Sequence, residues 1–141
     1  MMKMGLCVLL IVLAFGTGVC FAEPDIPNLV GTWSVQAEGT VLPKGSVPWE
    51  LTHYKGEFGA ITASIIVNEQ RGRIFHGTFR SLKATENIIG VIGWDNKSIS
   101  IVDQDGFVDG MLVNNDKISY IYRHVSANDS VVAIGTCTRV K

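Results

Sequence analysis

The stretch from Ile88 to Arg123 reads IIGVIGWDNKSISIVDQDGFVDGMLVNNDKISYIYR, and its repeating pattern decides the fold of the chain. Runs rich in Val, Ile, Phe and Tyr alternate here with short links rich in Asn, Asp and Gly. The first kind of residue favours strands, and the second suits tight turns because it accepts positive φ. Strands joined by such short links are antiparallel, since parallel neighbours need a long crossover. The stretch therefore predicts an antiparallel meander.

The same pattern continues on both sides of this stretch, and no apolar spacing typical of a helix is sustained over three turns. The predicted strands are 29–38, 61–69, 73–82, 88–94, 98–103, 107–113, 117–123 and 131–139. This series predicts an all-β, eight-stranded antiparallel up-and-down barrel, because closure removes the exposed edges of a meander. A two-sheet β-sandwich is the alternative.

One long connection interrupts the meander, from Gly39 to Gly59, and it is rich in Gly and Pro. Loops of that length are uncommon in compact domains and are often functional. A small eight-stranded barrel is either filled by side chains or holds one small ligand. Glycines within the predicted strands mark bends or close approaches, and they also hint at interior space. They are Gly77, Gly90, Gly110 and Gly135.

The first residues have the order of a secretory signal peptide. Lys3 precedes an apolar run of ten residues, Leu6 to Phe15, and Cys20-Phe21-Ala22 follows. We therefore expect cleavage near Ala22, which divides the chain into a signal peptide, 1–22, and a single β-barrel domain, 23–141. The expected location is secreted, or periplasmic and cell-envelope. A span of the membrane needs about 20 apolar residues, so none is expected in the mature chain.

Charge bears on the possible partners of the protein, and cysteine content bears on its disulfides. The formal net charge is −1, and Lys and Arg do not cluster, so nucleic acid is not an expected partner. Cys137 is the one cysteine after Ala22, so an internal disulfide is excluded for the mature monomer. An apolar strand surrounds it, which predicts a buried and inert thiol. The oligomeric state stays open.

Motifs for catalysis or metal binding are missing from the sequence. The three histidines, His53, His76 and His124, lack metal-ligand spacing, and no nucleophile elbow occurs. We therefore expect no metal, no cofactor and no catalytic residue. An enzyme remains an alternative, with His76, Arg80 or Tyr120 pointing into a shared cavity.

The polar turns carry two further patterns. Asp103, Asp105 and Asp109 surround a glycine turn, which predicts a polar hairpin tip, because the calcium-loop pattern is incomplete. Asn96 and Asn128 each begin a glycosylation sequon at a predicted turn. Whether either is glycosylated depends on the source organism.

Aromatic side chains are the candidate ligand-binding residues, because large amphipathic groups line ligand pockets. Tyr120 and Tyr122 share one strand face with Ile118. Two others lie in the long connection, where packing in a core explains them less well. The full set is Trp49, Tyr54, Trp94, Tyr120 and Tyr122.

The segment Asn28-Leu29-Val30-Gly31-Thr32-Trp33 resembles the G-x-W start of calycin barrels, the lipocalin, fatty-acid-binding and avidin groups. Gly56-Glu57-Phe58-Gly59 and Thr136-Cys137-Thr138-Arg139 are faintly similar to avidin-like chains. Avidins carry an asparagine for biotin two residues after the tryptophan, where this chain has Val35, so biotin binding is not carried over. The resemblance implies a barrel with an optional ligand cavity.

A specific contact follows from the closed meander. Its first and last strands are neighbours, so we expect Trp33 to seal one end of the barrel beneath the guanidinium of Arg139. Arg123 is the alternative partner of the indole. Gly31 would leave room for the approach.

The leading functional hypothesis is an exported, non-catalytic binding protein for a small, partly apolar ligand. The alternative is a structural or protein-interaction module, such as an inhibitor or an envelope-associated protein, with a filled barrel and an exposed apolar patch.

Overall fold

The computed structural model describes residues 25–43 and 58–141, and it is a closed barrel of eight strands. The strands are β1 (Gly31–Pro43), β2 (Phe58–Arg71), β3 (Ile74–Arg80), β4 (Thr85–Ile92), β5 (Ser98–Val102), β6 (Gly106–Asn114), β7 (Lys117–Val125) and β8 (Asp129–Arg139). Each strand pairs antiparallel with the next in the chain, and β1 pairs antiparallel with β8 to close the barrel. The up-and-down barrel is confirmed, and the sandwich alternative is wrong. In the described part of the chain, no helix is long and apolar enough to cross a membrane.

The long connection is shorter than the sequence predicted, which was from Gly39 to Gly59. Residues 39–43 belong to β1, and Phe58 and Gly59 belong to β2, where Gly59 pairs with Gly39. Gly39 continues the strand because β8 comes close to it: a Cβ added there would lie 2.5 Å from the carbonyl oxygen of Val132. This glycine marks a close approach of two strands rather than the end of one.

Alternate side chains of every strand point into the barrel, as the pleat requires. The largest fully buried side chains are Trp33, Phe75, Leu29, Ile99 and Val35. Two strand glycines make room for inward rings. A Cβ on Gly90 would lie 2.3 Å from Cζ of Phe75, and one on Gly135 would lie 2.6 Å from Cζ of Tyr120. The space beside these two glycines is therefore occupied by aromatic rings.

One end of the barrel is closed by Trp33. Its side chain is 1% exposed, and its indole Nε1–H donates to the carbonyl oxygen of Leu29 at 2.9 Å. The guanidinium carbon of Arg139 lies 4.2 Å from the centre of the indole ring, so the predicted stack is confirmed. Pairing of Trp33 with Arg139 across β1 and β8 places the two side chains together.

Arg139 also ties down the segment that leads into β1. Its guanidinium donates to the carbonyl oxygens of Asn28 at 2.7 Å and Val30 at 2.9 Å, and to that of Asn115 at 3.2 Å. Gly31 lies beneath it with φ +128°, a conformation that residues with a side chain rarely adopt. The cap formed by Trp33 and Arg139 therefore joins both ends of the described chain.

Replacing Arg139 by Ala removes the stack and the three bonds to backbone carbonyls. We expect the free energy of unfolding to fall by about 2 kcal/mol. This is the sum of a lost cation–π contact, which is partly desolvated, and of lost charge-assisted hydrogen bonds, which water replaces only in part. Urea denaturation, read as a lower midpoint at constant slope, measures the change.

The matched control is Arg123→Ala. Arg123 also lies over an aromatic ring, 5.7 Å from the centre of Phe107, but on the exposed outer face. Its removal should change the free energy of unfolding by less than about 1 kcal/mol. Equal losses in the two variants would contradict a special role for Arg139.

Candidate functional site

The barrel interior is not completely filled. A cavity with a volume of about 70 Å³ lies between the inward side chains. A single water needs about 10–15 Å³, so the space is large enough for several waters or a small organic molecule. Most of its wall is apolar. The described residues that line it are Leu29, Trp33, Ile61, Ile65, Val67, Phe75, Phe79, Glu86, Ile88, Ile99, Ile101, Asp103, Val108, Gly110, Ile118, Tyr120, Tyr122 and Cys137.

The two ends of the cavity differ in chemistry because the strand directions place different residues there. Trp33, near the start of β1, closes the apolar end. Glu86 near the start of β4, Asp103 just after β5 and Tyr122 near the end of β7 lie at the opposite end. Strands alternate in direction, so these three positions fall on the same rim of the barrel. The cavity is therefore apolar along its length and acidic at one end.

Tyr122 shows how the acidic end acts on a group within it. Burial raises the pKa of its phenol well above the usual range, and the negative charges of Asp103, Asp105 and Glu86 raise it further. Its hydroxyl donates to Oδ1 of Asp105 at 3.3 Å. The phenol therefore stays protonated and serves as a hydrogen-bond donor at this rim.

His124 connects two aspartates beside Tyr122. Its Nδ1 lies 3.1 Å from Oδ1 of Asp105, and its Nε2 lies 2.9 Å from Oδ1 of Asp129. Ser126 donates from its hydroxyl to the same Asp129 oxygen at 2.7 Å. The imidazole and Asp129 are both buried. These bonds attach the turn before β6 to the β7–β8 turn and make the rim one connected network.

Sequence reasoning missed this network, although its signal was present. In β7 the alternation that carries Ile118, Tyr120 and Tyr122 inward continues to His124. In β8 the alternation that carries Val131 inward begins at Asp129. Extending the seventh predicted strand by one residue and the eighth by two would have placed both side chains inside the barrel.

The predicted ligand-binding aromatics do not all come together. Tyr120 and Tyr122 line the cavity. Trp94 is 88% exposed beyond the end of β4, where the guanidinium carbon of Arg73 lies 4.8 Å from its ring centre. Trp49 and Tyr54 fall outside the described residues. A ligand-binding role for the five stays a prediction.

Of the three side chains named for the enzyme alternative, Tyr120 lines the cavity and the other two do not. His76 lies on the outer face, where its Nε2 is 3.0 Å from Oε2 of Glu69. Arg80 is also exposed, and Tyr120 alone faces the interior. Within residues 25–43 and 58–141, no three His, Cys, Asp or Glu side chains converge in a way that could hold a metal ion.

The three aspartates predicted at a polar hairpin tip have separate surroundings. Asp103 does support the turn, since its Oδ1 accepts the backbone N–H groups of Asp105 at 3.2 Å and Gly106 at 2.6 Å. It also lines the cavity, which the prediction did not include. Asp109 lies on the outer face and pairs with Arg123.

Cys137 lies in the wall of the cavity and is 3% exposed. Burial raises the pKa of its thiol to about 12, so the group stays protonated at neutral pH. A protonated thiol is a poor nucleophile, and this agrees with the predicted inert role.

Comparisons with known proteins do not assign the chain to a family. No protein-family model matches the chain, and no curated protein matches its sequence. Among solved structures, the chain is similar to that of a redesigned β-barrel, with a TM-score of 0.46 and 11% identity over 80% of this chain and 92% of the other.

The raised pKa of the Cys137 thiol predicts how the stability of the fold changes at alkaline pH. The unfolded chain loses the thiol proton near the ordinary pKa of 9.0, and the folded protein loses it near 12. Between these values the folded state binds more protons, so the free energy of unfolding falls as the pH rises, by up to about 1.4 kcal/mol per pH unit.

The measurement compares wild type with Cys137→Ala by urea denaturation from neutral pH to pH values above 9.0. The variant lacks this titration, so its stability should decline less steeply. Other groups that titrate in this range are common to both proteins. Parallel profiles would show that the thiol is not protected.

Proposed function

We propose that this protein is an exported, non-catalytic binding protein that holds a small, partly apolar ligand inside a calycin-like barrel. The observation that carries the proposal is the interior cavity, with its apolar wall and a polar rim at one end. Ligand sites of proteins commonly combine an apolar lining with a few placed polar groups. Eight-stranded barrels have room for one small ligand in this position.

The calycin-like part of the proposal rests on the cap. The Gly31-Thr32-Trp33 element opens β1, and Arg139 from the last strand covers the indole at 4.2 Å. The export part rests on the signal-like order of residues 1–22. The fold alone does not decide what is bound, so the argument for binding depends on the cavity.

The alternative, an interaction module, predicts a filled barrel and an exposed apolar patch. Neighbouring strands β3 to β6 do present Ile74, Ile89, Val91, Val102 and Phe107 on the outer face. A filled interior, however, would leave no space for the cavity beneath Trp33. The cavity therefore favours binding of a small molecule over this alternative.

Filling the cavity should abolish binding. Val108 lies in its wall on β6, and a phenyl ring at that position would occupy the space a ligand needs. We expect Val108→Phe to weaken the binding of small aliphatic alcohols such as hexanol and cyclohexanol by at least about tenfold. Isothermal titration calorimetry and native mass spectrometry measure the affinity and the stoichiometry.

Val113→Phe is the matched control, because it makes the same substitution on the same strand at an outer position that is 58% exposed. It should bind like wild type. The overpacked variant should lose about 1–3 kcal/mol of stability yet remain folded, which circular dichroism checks. Equal binding by both variants, or no binding by wild type, would refute an interior ligand site.

A further inference from the structure

Two large rings of the interior lie against the wall of the barrel. Phe75, on β3, reaches the neighbouring β4, where the tip of its ring occupies the place of a side chain on Gly90. Tyr120, on β7, reaches β8 and occupies the corresponding place on Gly135. Because β3 and β7 are four strands apart in a closed barrel of eight, the two rings lie on opposite sides of the interior. The space between them is part of the cavity that both rings line.

Gly110 makes room in the wall in a different way. It faces inward, since its cross-strand partners are the buried Ile99 and the cavity-lining Tyr120. A Cβ added to Gly110 would have Cγ2 of Ile118 as its nearest neighbour among the described residues, at 3.2 Å. No neighbouring ring has entered the place of the missing side chain, as happens at Gly90. The glycine at position 110 therefore enlarges the cavity that it lines.

Charged side chains are confined to one end of the cavity. Glu86 and Asp103 are the charged residues among the described residues of the lining, and both lie at the rim opposite Trp33. Arg80 and Lys83 lie at the same rim, because they belong to the end of β3 and to the turn that leads into β4. The rim therefore holds side chains of both signs of charge, and the choice of ligand depends on the uncharged wall below it.

Cys137 shows how this wall acts on a charged group. Its side chain is buried, and burial is the cause that raises the pKa of its thiol to about 12. The thiolate is disfavoured because it would lose its hydration without gaining a partner. A charged group on a ligand, of either sign, would lose its hydration in the same surroundings. The wall therefore favours the uncharged member of any pair of otherwise similar ligands.

From this arrangement we infer that the cavity takes a single uncharged ring, with at most a short substituent, and excludes ligands that carry a charge beside the ring. The inference rests on the proposed binding function and specifies its ligand class. The volume of about 70 Å³ sets the size, since it has room for several water-sized groups. The space is bounded by Phe75 and Tyr120 on opposite sides and by Trp33 at one end, and a compact ring fills such a space better than an extended chain.

Three probes with the same ring test the inference: toluene, benzylammonium and benzoate. The exported protein is titrated with each by calorimetry at neutral pH. We expect toluene to bind at least about tenfold more tightly than either charged probe, because both charges lose hydration in the cavity. Methyl NMR locates the ring: toluene should shift the signals of Ile65 and Ile118 in the wall and leave that of Ile89 on the outer face unchanged.

Two variants change the cavity in opposite directions. Gly110→Ala adds a methyl group to the wall, and it should weaken toluene binding by about tenfold. Cys137→Ala removes the sulfur from the wall, and it should bind para-xylene, which is one methyl group larger, about tenfold more tightly than wild type. Met111→Ala is the control on the outer face of β6, where the side chain is 52% exposed, and it should bind toluene like wild type.

The outcomes separate this inference from the proposed function. If hexanol or cyclohexanol binds but toluene does not, or if a charged probe binds as tightly as toluene, the ring inference is wrong and the binding function stands. Unchanged affinities in both cavity variants would place the ring elsewhere and overturn the inference as well. If neither toluene nor the alcohols bind the wild-type protein, the binding function itself fails, and the inference fails with it.

Discussion

The pairing of the first strand with the last is the constraint on which the rest of the structure depends. It runs from Trp33 opposite Arg139 to Pro43 opposite Asp129 and converts a meander into a closed barrel. Without this pairing β1 and β8 would each expose a free edge, which invites association with other chains. Both ends of the barrel are organised by the same pairing. At one end it places Arg139 over the indole, and at the other it brings the start of β8 beside Pro43.

The closed sheet also explains why the interior can be hollow. Backbone hydrogen bonds around the whole circumference hold the strands apart at fixed spacing, so the wall does not depend on complete packing inside. Aromatic rings fill part of the interior, and glycines such as Gly90 and Gly135 accept them without displacing the neighbouring strands. The remaining space lies between the tryptophan cap and the acidic rim. The residues that alternate inward along the strands thus make one end of the cavity polar and the other end apolar.

Much of the fold could be predicted from the sequence because turn chemistry and period-two alternation are local signals. The links after Trp94 and Val113 separate the strands where Asn and Asp suggested, and closure followed from the number of strands. The stack of Arg139 on Trp33 could be predicted because closure makes the first and last strands neighbours. The ends of β1 and β2 were placed wrongly, since a glycine opposite another glycine looks like a loop until its partner strand is known.

The residues of the site were harder to predict from the sequence than the fold, for a physical reason. Which side chains meet around a cavity depends on register between strands far apart in the chain, and local patterns do not contain that register. Aromatic character was a sound guide to Tyr120 and Tyr122, but it could not separate them from Trp94, which belongs to the outer surface. The rim carboxyl groups were missed because an aspartate beside a turn is also what a turn needs. Asp103 serves both purposes.

The pairing of β1 with β8 also determines when the barrel can fold. The bond from Arg139 to Val30 joins residues 109 positions apart, so the barrel can close only after the last strand has been synthesised. Folds dominated by such distant contacts form slowly, because the entropy of a long loop must be lost before the contact is gained. Until then the chain has an unpaired first strand and depends on protection from aggregation. Such a delay fits the export proposed above, since a chain whose barrel is not yet closed can be transported before it folds.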